Sequence, residues 1–140
     1  MHTATSGDKV GIGDEIGPFT RETGFANWNR YAAVNDEFVP IHMDDEAGRA
    51  AGYPTAFGMG NLQWSYLHNA LRAWMGDSGR IISLSCQFRG ANTKGMTVTA
   101  RGVVTGVEKA DGAVTATVDV WTEAADGSRL APGKAVVRFG

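Results

Sequence analysis

Cysteine, histidine and like-charged runs are all scarce in this chain of 140 residues. The single cysteine, Cys86, excludes a disulfide framework and a thiolate metal cluster. No four Lys or Arg stand together, and a formal net charge of −2 gives no electrostatic case for nucleic acid or an anionic membrane surface. No apolar stretch approaches the roughly 20 residues of a membrane span. Met1 to Asp8 is polar and lacks the apolar core of a signal peptide, so a flexible lead-in of eight residues and a cytoplasmic protein are expected. There is no internal repeat and no low-complexity segment. Of three histidines one is at position 2, which leaves imidazole chemistry to His42 or His68.

What is present suits one domain, over residues 9–140, with a single core: 43% apolar residues against 20% charged. Nineteen glycines are spread along the chain, which implies many turns and close backbone contacts. Phe25, Trp28, Tyr31 and Ala32 recur at helical spacing and predict a helix over Gly24 to Val34. Asp44 to Ala51 reads as a short helix, acidic in its first turn, with Gly52 just beyond it. Met59 to Met75 is the longest helix, with Leu62, Tyr66, Leu67, Leu71 and Trp74 on one stripe and Gly76 as a stop. Four extended runs follow: Arg80–Arg89, Met96–Val107, Ala113–Thr122 and Lys134–Phe139. Ile82, Leu84, Cys86 and Phe88 are expected on one face of the first. Asp111-Gly112 and Asp126-Gly127 are hairpin signals. A long striped helix must bury its stripe on a sheet. The simplest product is an α+β hot-dog, a curved antiparallel sheet wrapped around a long central helix.

One loop stands out for chemistry. Asn35-Asp36-Glu37-Phe38-Val39-Pro40-Ile41-His42 puts two acids five and six residues before a histidine, with a proline between. A carboxylate beside an imidazole can move protons on and off a carbon and a water. Asp36 also suits a plain turn, as Asn-Asp pairs do. Gly58 opens the long helix, where unpaired amides at a positive dipole end can hold an oxyanion. Equally, Gly58 and Gly60 can serve only close packing. His68 reads as structural or solvent-facing, and Asn61 and Gln63 as surface or packing residues. Trp28, Trp64, Trp74 and Trp121 read as core or interface. Gly11-Ile12-Gly13 lacks the strand–helix context of a dinucleotide loop and reads as a turn. His42, His68 and the scattered acids have no metal-ligand spacing, so no metal is expected.

The stretch from Arg30 to Asp44 resembles the signature of MaoC-like (R)-specific enoyl-CoA hydratases and dehydratases, Asp-x-Asn-Pro-x-His. Ala50-Ala51-Gly52-Tyr53-Pro54, Ala56-Phe57-Gly58-Met59, Gln87-Phe88-Arg89 and Lys94-Gly95-Met96-Thr97-Val98 follow in the family's order. The likeness covers residues 9–139. Aligned without a gap on His42, Glu37 takes the place of the family's catalytic Asp, with Asp36 one residue early. Val39 replaces the motif Asn, and Phe57-Gly58 stands where His-Gly starts the central helix. The resemblance implies a hot-dog fold and a catalytic pair of Glu37, or Asp36, with His42. It implies a thioester pocket at Val39, Phe57 and Gly58, with the Gly58 amide on the enolate oxygen. It implies water addition to a trans-2-enoyl-CoA, or the reverse, with an acyl-CoA thioester as substrate. No cofactor is expected, because the thioester is the electron sink.

The open sheet edges predict a homodimer, or a heterodimer with a second hot-dog subunit. The glutamate is one methylene longer than aspartate, moving its oxygens by about 1.5 Å, which favours a second possibility: a weakly catalytic or silent subunit of a hetero-oligomeric hydratase. A third, thioester hydrolysis, would use an acid on or near the central helix, and Met59 to Met75 contains neither Asp nor Glu.

Overall fold

The computed structural model describes residues 4–140. In chain order come β1 (Glu15–Glu22), α1 (Phe25–Asn35), a 3-10 turn (Pro40–His42), α2 (Asp45–Ala50), α3 (Gly60–Met75), a second 3-10 turn (Gly76–Ser78), β2 (Gly79–Cys86), β3 (Thr97–Ala110), β4 (Ala113–Glu123) and β5 (Arg129–Phe139). All pairings are antiparallel, in one five-stranded sheet of order β1-β3-β4-β5-β2. α3 lies across this sheet, and the arrangement is the expected hot-dog. No helix among the described residues is long and apolar enough to cross a membrane.

The core forms where α3 meets the sheet. Tyr66, Leu67, Ala70, Leu71 and Met75 are buried against Val98, Val104, Val118, Val120 and Val137. Ala100, Ala116 and Ala135, also fully buried, keep the sheet's inner face low enough for the helix to approach. Leu67 and Leu71 are fully buried, each contributing about 1.5–3 kcal/mol of transfer free energy. Leu62 and Trp74 sit at the edges of the stripe, half-buried. A satellite cluster of Trp28, Ala32, Ala56 and Met59 packs under α1 and joins it to the start of α3.

The sheet departs from its sequence reading in three places. β1 was not expected. Gly17 and Pro18 interrupt its alternation, a bulge falls between Ile16 and Phe19, and Ile16 is its one buried residue. In β2 a register shift between Ile81 and Ser83 turns Ile81 toward the core and leaves Ile82 53% exposed, so the expected face of Ile82, Leu84, Cys86 and Phe88 is broken. β5 begins at Arg129, five residues before the expected start, because Pro132 and Gly133 mask it in sequence. The Asp111-Gly112 hairpin is as expected, with both residues at positive φ (53° and 76°). Residues 1–3 of the expected flexible lead-in lie outside the described residues. From Thr5 the chain is tied down, with Thr5 N–H donating to Trp74 O at 2.8 Å and Ser78 Oγ donating to Thr5 O at 2.7 Å.

Candidate active site

α1 ends in a left-handed turn at Asp36 (φ 53°, ψ 43°), whose N–H donates to Ala32 O. Asp and Asn tolerate this conformation better than most residues, so Asp36 has a local reason to be where it is. It is exposed. Glu37 N–H also donates to Ala32 O, at 3.0 Å. The Glu37 carboxylate is half-buried and has no hydrogen-bond or ion-pair partner among the described residues. It lies near Tyr31, whose hydroxyl pKa is raised by burial and then by the Glu37 charge.

Val39 is extended (φ −101°, ψ 128°) and caps the 3-10 turn, which Pro40 opens with its preset φ. The turn delivers His42 inward. His42 is 8% exposed, its Nδ1 is 2.6 Å from Phe57 O, and its ring meets the Phe57 ring edge-on at 5.4 Å. A carbonyl only accepts, so Nδ1 carries the proton and donates, and Nε2 of the neutral ring is left with its lone pair. No direct hydrogen bond or ion pair joins His42 to Glu37 or Asp36 among the described residues.

Ala56–Gly58 forms a strap that holds the histidine. Phe57 N–H donates to Ile41 O (3.1 Å) on one side. On the other, Gly58 N–H donates to Asn92 O (2.7 Å) and Lys94 N–H to Ala56 O (3.2 Å), around a Phe57–Thr93 bridge. α2 braces the strap: Asp45 accepts from Ala56 N–H (3.1 Å) and pairs with Lys94. A Cβ on Gly48 would stand 2.0 Å from Thr55 O, so α2 lies directly on this segment.

This geometry corrects one sequence expectation. The Gly58 amide, expected on an enolate oxygen, is already spent on Asn92 O. Gly58 instead permits close approach, for a Cβ there would lie 2.6 Å from Trp28 Nε1, and one on Gly60 would lie 2.7 Å from the Phe88 ring. The amides of Met59, Gly60 and Asn61, at the start of α3, have no protein acceptor among the described residues.

Of the two roles the sequence left open for Gln63, surface or packing, the structure shows packing. The residue is buried, accepting from Thr122 Oγ1 at 2.6 Å and donating to Gly90 O at 3.4 Å, and so ties the start of α3 to β4. Its place on the stripe, one turn before Leu67, was the available signal. His68 Nδ1 donates to Trp64 O (3.1 Å) within its own helix, away from the loop.

The Lys94 ammonium, then the Ala56 amide, hold the Asp45 carboxyl below its ordinary pKa of 3.8. A carboxyl whose folded pKa is depressed adds stability above its unfolded pKa and loses it as pH falls through the folded value. Asp45→Asn is therefore expected to lower the melting temperature at pH 6 and to make no difference well below pH about 3.8. Melts of the two proteins at both pH values check this.

A single antiparallel sheet around one long helix is the hot-dog fold, and in this chain the segment leading into that helix holds a histidine. Within that fold, residues 12–125 match the family model of the MaoC like domain, and the chain belongs to that family of dehydratase domains. No match is found among curated proteins. Solved structures share the fold. An (R)-hydratase from A. caviae involved in PHA biosynthesis is 22% identical, with TM-score 0.85 over 94% of this chain and 98% of that one. The R-hydratase PhaJ1 from Pseudomonas aeruginosa is 14% identical, with TM-score 0.84 over 94% and 83%. The ChsH1-ChsH2 complex from Mycobacterium tuberculosis gives 19% identity and TM-score 0.80 over 92% and 98%.

Proposed function

We propose that this chain is a lyase of lipid metabolism that adds water to a trans-2-enoyl-CoA to give an (R)-3-hydroxyacyl-CoA, or runs the reverse reaction. The observation that carries the reading is His42: a buried imidazole with its tautomer fixed and Nε2 free, in a chain of the MaoC-like family. Glu37, with its carboxylate unpartnered, takes a proton from the water as the hydroxide adds to C3, and the carboxylic acid so formed returns that proton to C2. His42 Nε2, an acceptor in this tautomer, holds the water in place for the attack. With the Gly58 amide occupied, the enolate oxygen falls to the open amides at the start of α3, where the helix dipole also favours negative charge. Phe38, Val39, Met43 and Tyr53 are exposed apolar side chains on and beside the loop, a surface suited to an apolar acyl group. Asp36 is the alternative base, and its capping conformation is the argument against it.

Purified protein, alone and with any co-expressed hot-dog partner, should be given a panel of enoyl-CoA esters while the absorbance of the conjugated thioester is followed. Hydration by the protein alone supports the reading. Hydration only with a partner supports a silent-subunit role, which the Glu37 and Val39 departures and the resemblance to a two-protein complex favour as second choice.

The protein acts as a dimer in this reading, and the edge it uses is β2. β1 guards its edge with Glu15, Arg21 and Glu22, whereas Ile81 to Cys86 carries no charge and exposes Ile82. Beyond β2 the chain reaches Phe88, which covers Gly60 at the start of α3, so a second copy on β2 would lie near the site. Ile82→Lys is expected to give a monomer at micromolar concentration in sedimentation, where the unaltered protein sediments as a dimer.

A further inference from the structure

Trp28 Nε1 and Asn92 Nδ2 are buried donors with no hydrogen-bond partner among the described residues, and both residues are fully buried. Such a donor carries its whole desolvation penalty. Both flank Gly58: a Cβ there would stand 2.6 Å from Trp28 Nε1 and 3.0 Å from Asn92 Nδ2. At the far end of the Asn92 carboxamide, Thr23 Oγ1 lies 2.7 Å from Oδ1 and 2.6 Å from Met96 O. The hydroxyl has one proton for these two oxygens. Met96 O can only accept, so the proton goes there, and the Asn92 atom facing Thr23 has to donate. Oxygen cannot do this. The two ends of a carboxamide have the same shape, and hydrogen bonding decides which is which.

We propose that the Asn92 carboxamide is turned, Nδ2 donating to Thr23 Oγ1 and Oδ1 accepting from Trp28 Nε1, and that the chain Trp28–Asn92–Thr23–Met96 positions His42. The turn gives Asn92 Nδ2 a partner, ends the double use of the Thr23 proton, and presents an acceptor at Gly58, where the unpaired Trp28 Nε1 also lies. The chain reaches His42 through the strap. Asn92 also takes the Gly58 N–H on its own carbonyl, one residue after the Phe57 carbonyl that fixes the His42 tautomer. Trp28 from α1 and Thr23 from the end of β1 thus lock Asn92, and Asn92 locks the strap. Trp28 and Asn92 are positioning residues. Their catalytic consequence rests on the hydratase reading; the hydrogen-bond chain does not.

NMR of the labelled, substrate-free protein tests the chain without relying on activity. The Asn92 side-chain amide protons should show contacts to Thr23 rather than to the Trp28 indole proton, and that indole proton should exchange slowly. The His42 ring nitrogens should show the Nδ1–H pattern. Trp28→Phe removes the indole N–H together with the five-membered ring of a fully buried side chain, so it is read beside Asn92→Leu, which leaves that ring in place. Trp28→Phe should mix the His42 tautomers and lower kcat about 10- to 100-fold, the range a small misplacement produces, with KM within about twofold. Asn92→Leu should do the same, and the double variant should be no worse than the worse single one. A purely structural role would lower only the melting temperature, so unchanged His42 ring shifts in folded Trp28→Phe would overturn the positioning claim. Asn92 amide protons beside the Trp28 indole in the unaltered protein would overturn the turned carboxamide, whether or not the variants fold. Tautomer mixing in the variants of a protein that hydrates no enoyl thioester would uphold the chain and remove the hydratase reading.

Discussion

His42→Ala is expected to lower enoyl-CoA hydration by about 10²–10⁴-fold, the range for loss of a positioned acid–base group. Glu37→Gln should fall in the same range, and Asp36→Asn should change the rate far less. The structure gives these residues separate reasons to matter. His42 is buried, held by the Phe57 carbonyl, and exposes one nitrogen to chemistry. Glu37 is partly sheltered beside Tyr31 with nothing bound to its carboxylate. Asp36 caps α1. Removing the imidazole costs the fold one hydrogen bond and some packing, roughly 1–2 kcal/mol, so unfolding should stay cooperative. Steady-state rates on a turned-over enoyl-CoA, with circular dichroism as control, check all three variants. A large loss in Asp36→Asn with little in Glu37→Gln would make Asp36 the base.

Gly48→Ala is expected to have the largest effect on stability. The added methyl would lie 2.0 Å from Thr55 O and 2.7 Å from Ala56 N, both main-chain atoms, so no side-chain rotation relieves it. α2 or the strap must move, at a cost of about 3 kcal/mol, the upper end of ordinary overpacking. Because the strap carries the acceptor for His42, activity should fall with stability. Chemical denaturation and initial rates on one sample test both. Gly52→Ala, on the exposed turn just past α2, makes no such contact, but its φ of 100° strains a side chain, so it separates local backbone strain from the Gly48 clash.

The helices and long strands were legible because their signals are local. The stripe of α3 survives in Tyr66, Leu67 and Leu71, and the alternation of β3 survives in Val98, Ala100 and Val104, with Asp111-Gly112 marking the turn. β1 was illegible because a strand with Gly17, Pro18 and one buried side chain has no period to read. In β2 a bulge between Ile81 and Ser83 sets Ile81 toward the core with Leu84 and Cys86 and turns Ile82 out, so a strict alternation misplaces Ile82. Long-range pairing hid the site's chemistry more than its location. The loop from Asp36 to His42 was visible in sequence. That Asn92, 34 positions later, would occupy the Gly58 amide was not, since no spacing rule links them. A packing role for Gln63 was open in the sequence, but its partners, Thr122 and Gly90, come from distant segments and were not legible.

The most direct measurement incubates the purified protein with a trans-2-enoyl-CoA and identifies the product, beside a variant carrying both Glu37→Gln and His42→Ala. The account predicts loss of the conjugated absorbance, an (R)-3-hydroxyacyl-CoA as product, and no detectable turnover by the double variant. Free thiol released with the acyl acid, or hydration that persists unchanged in the double variant, would contradict it.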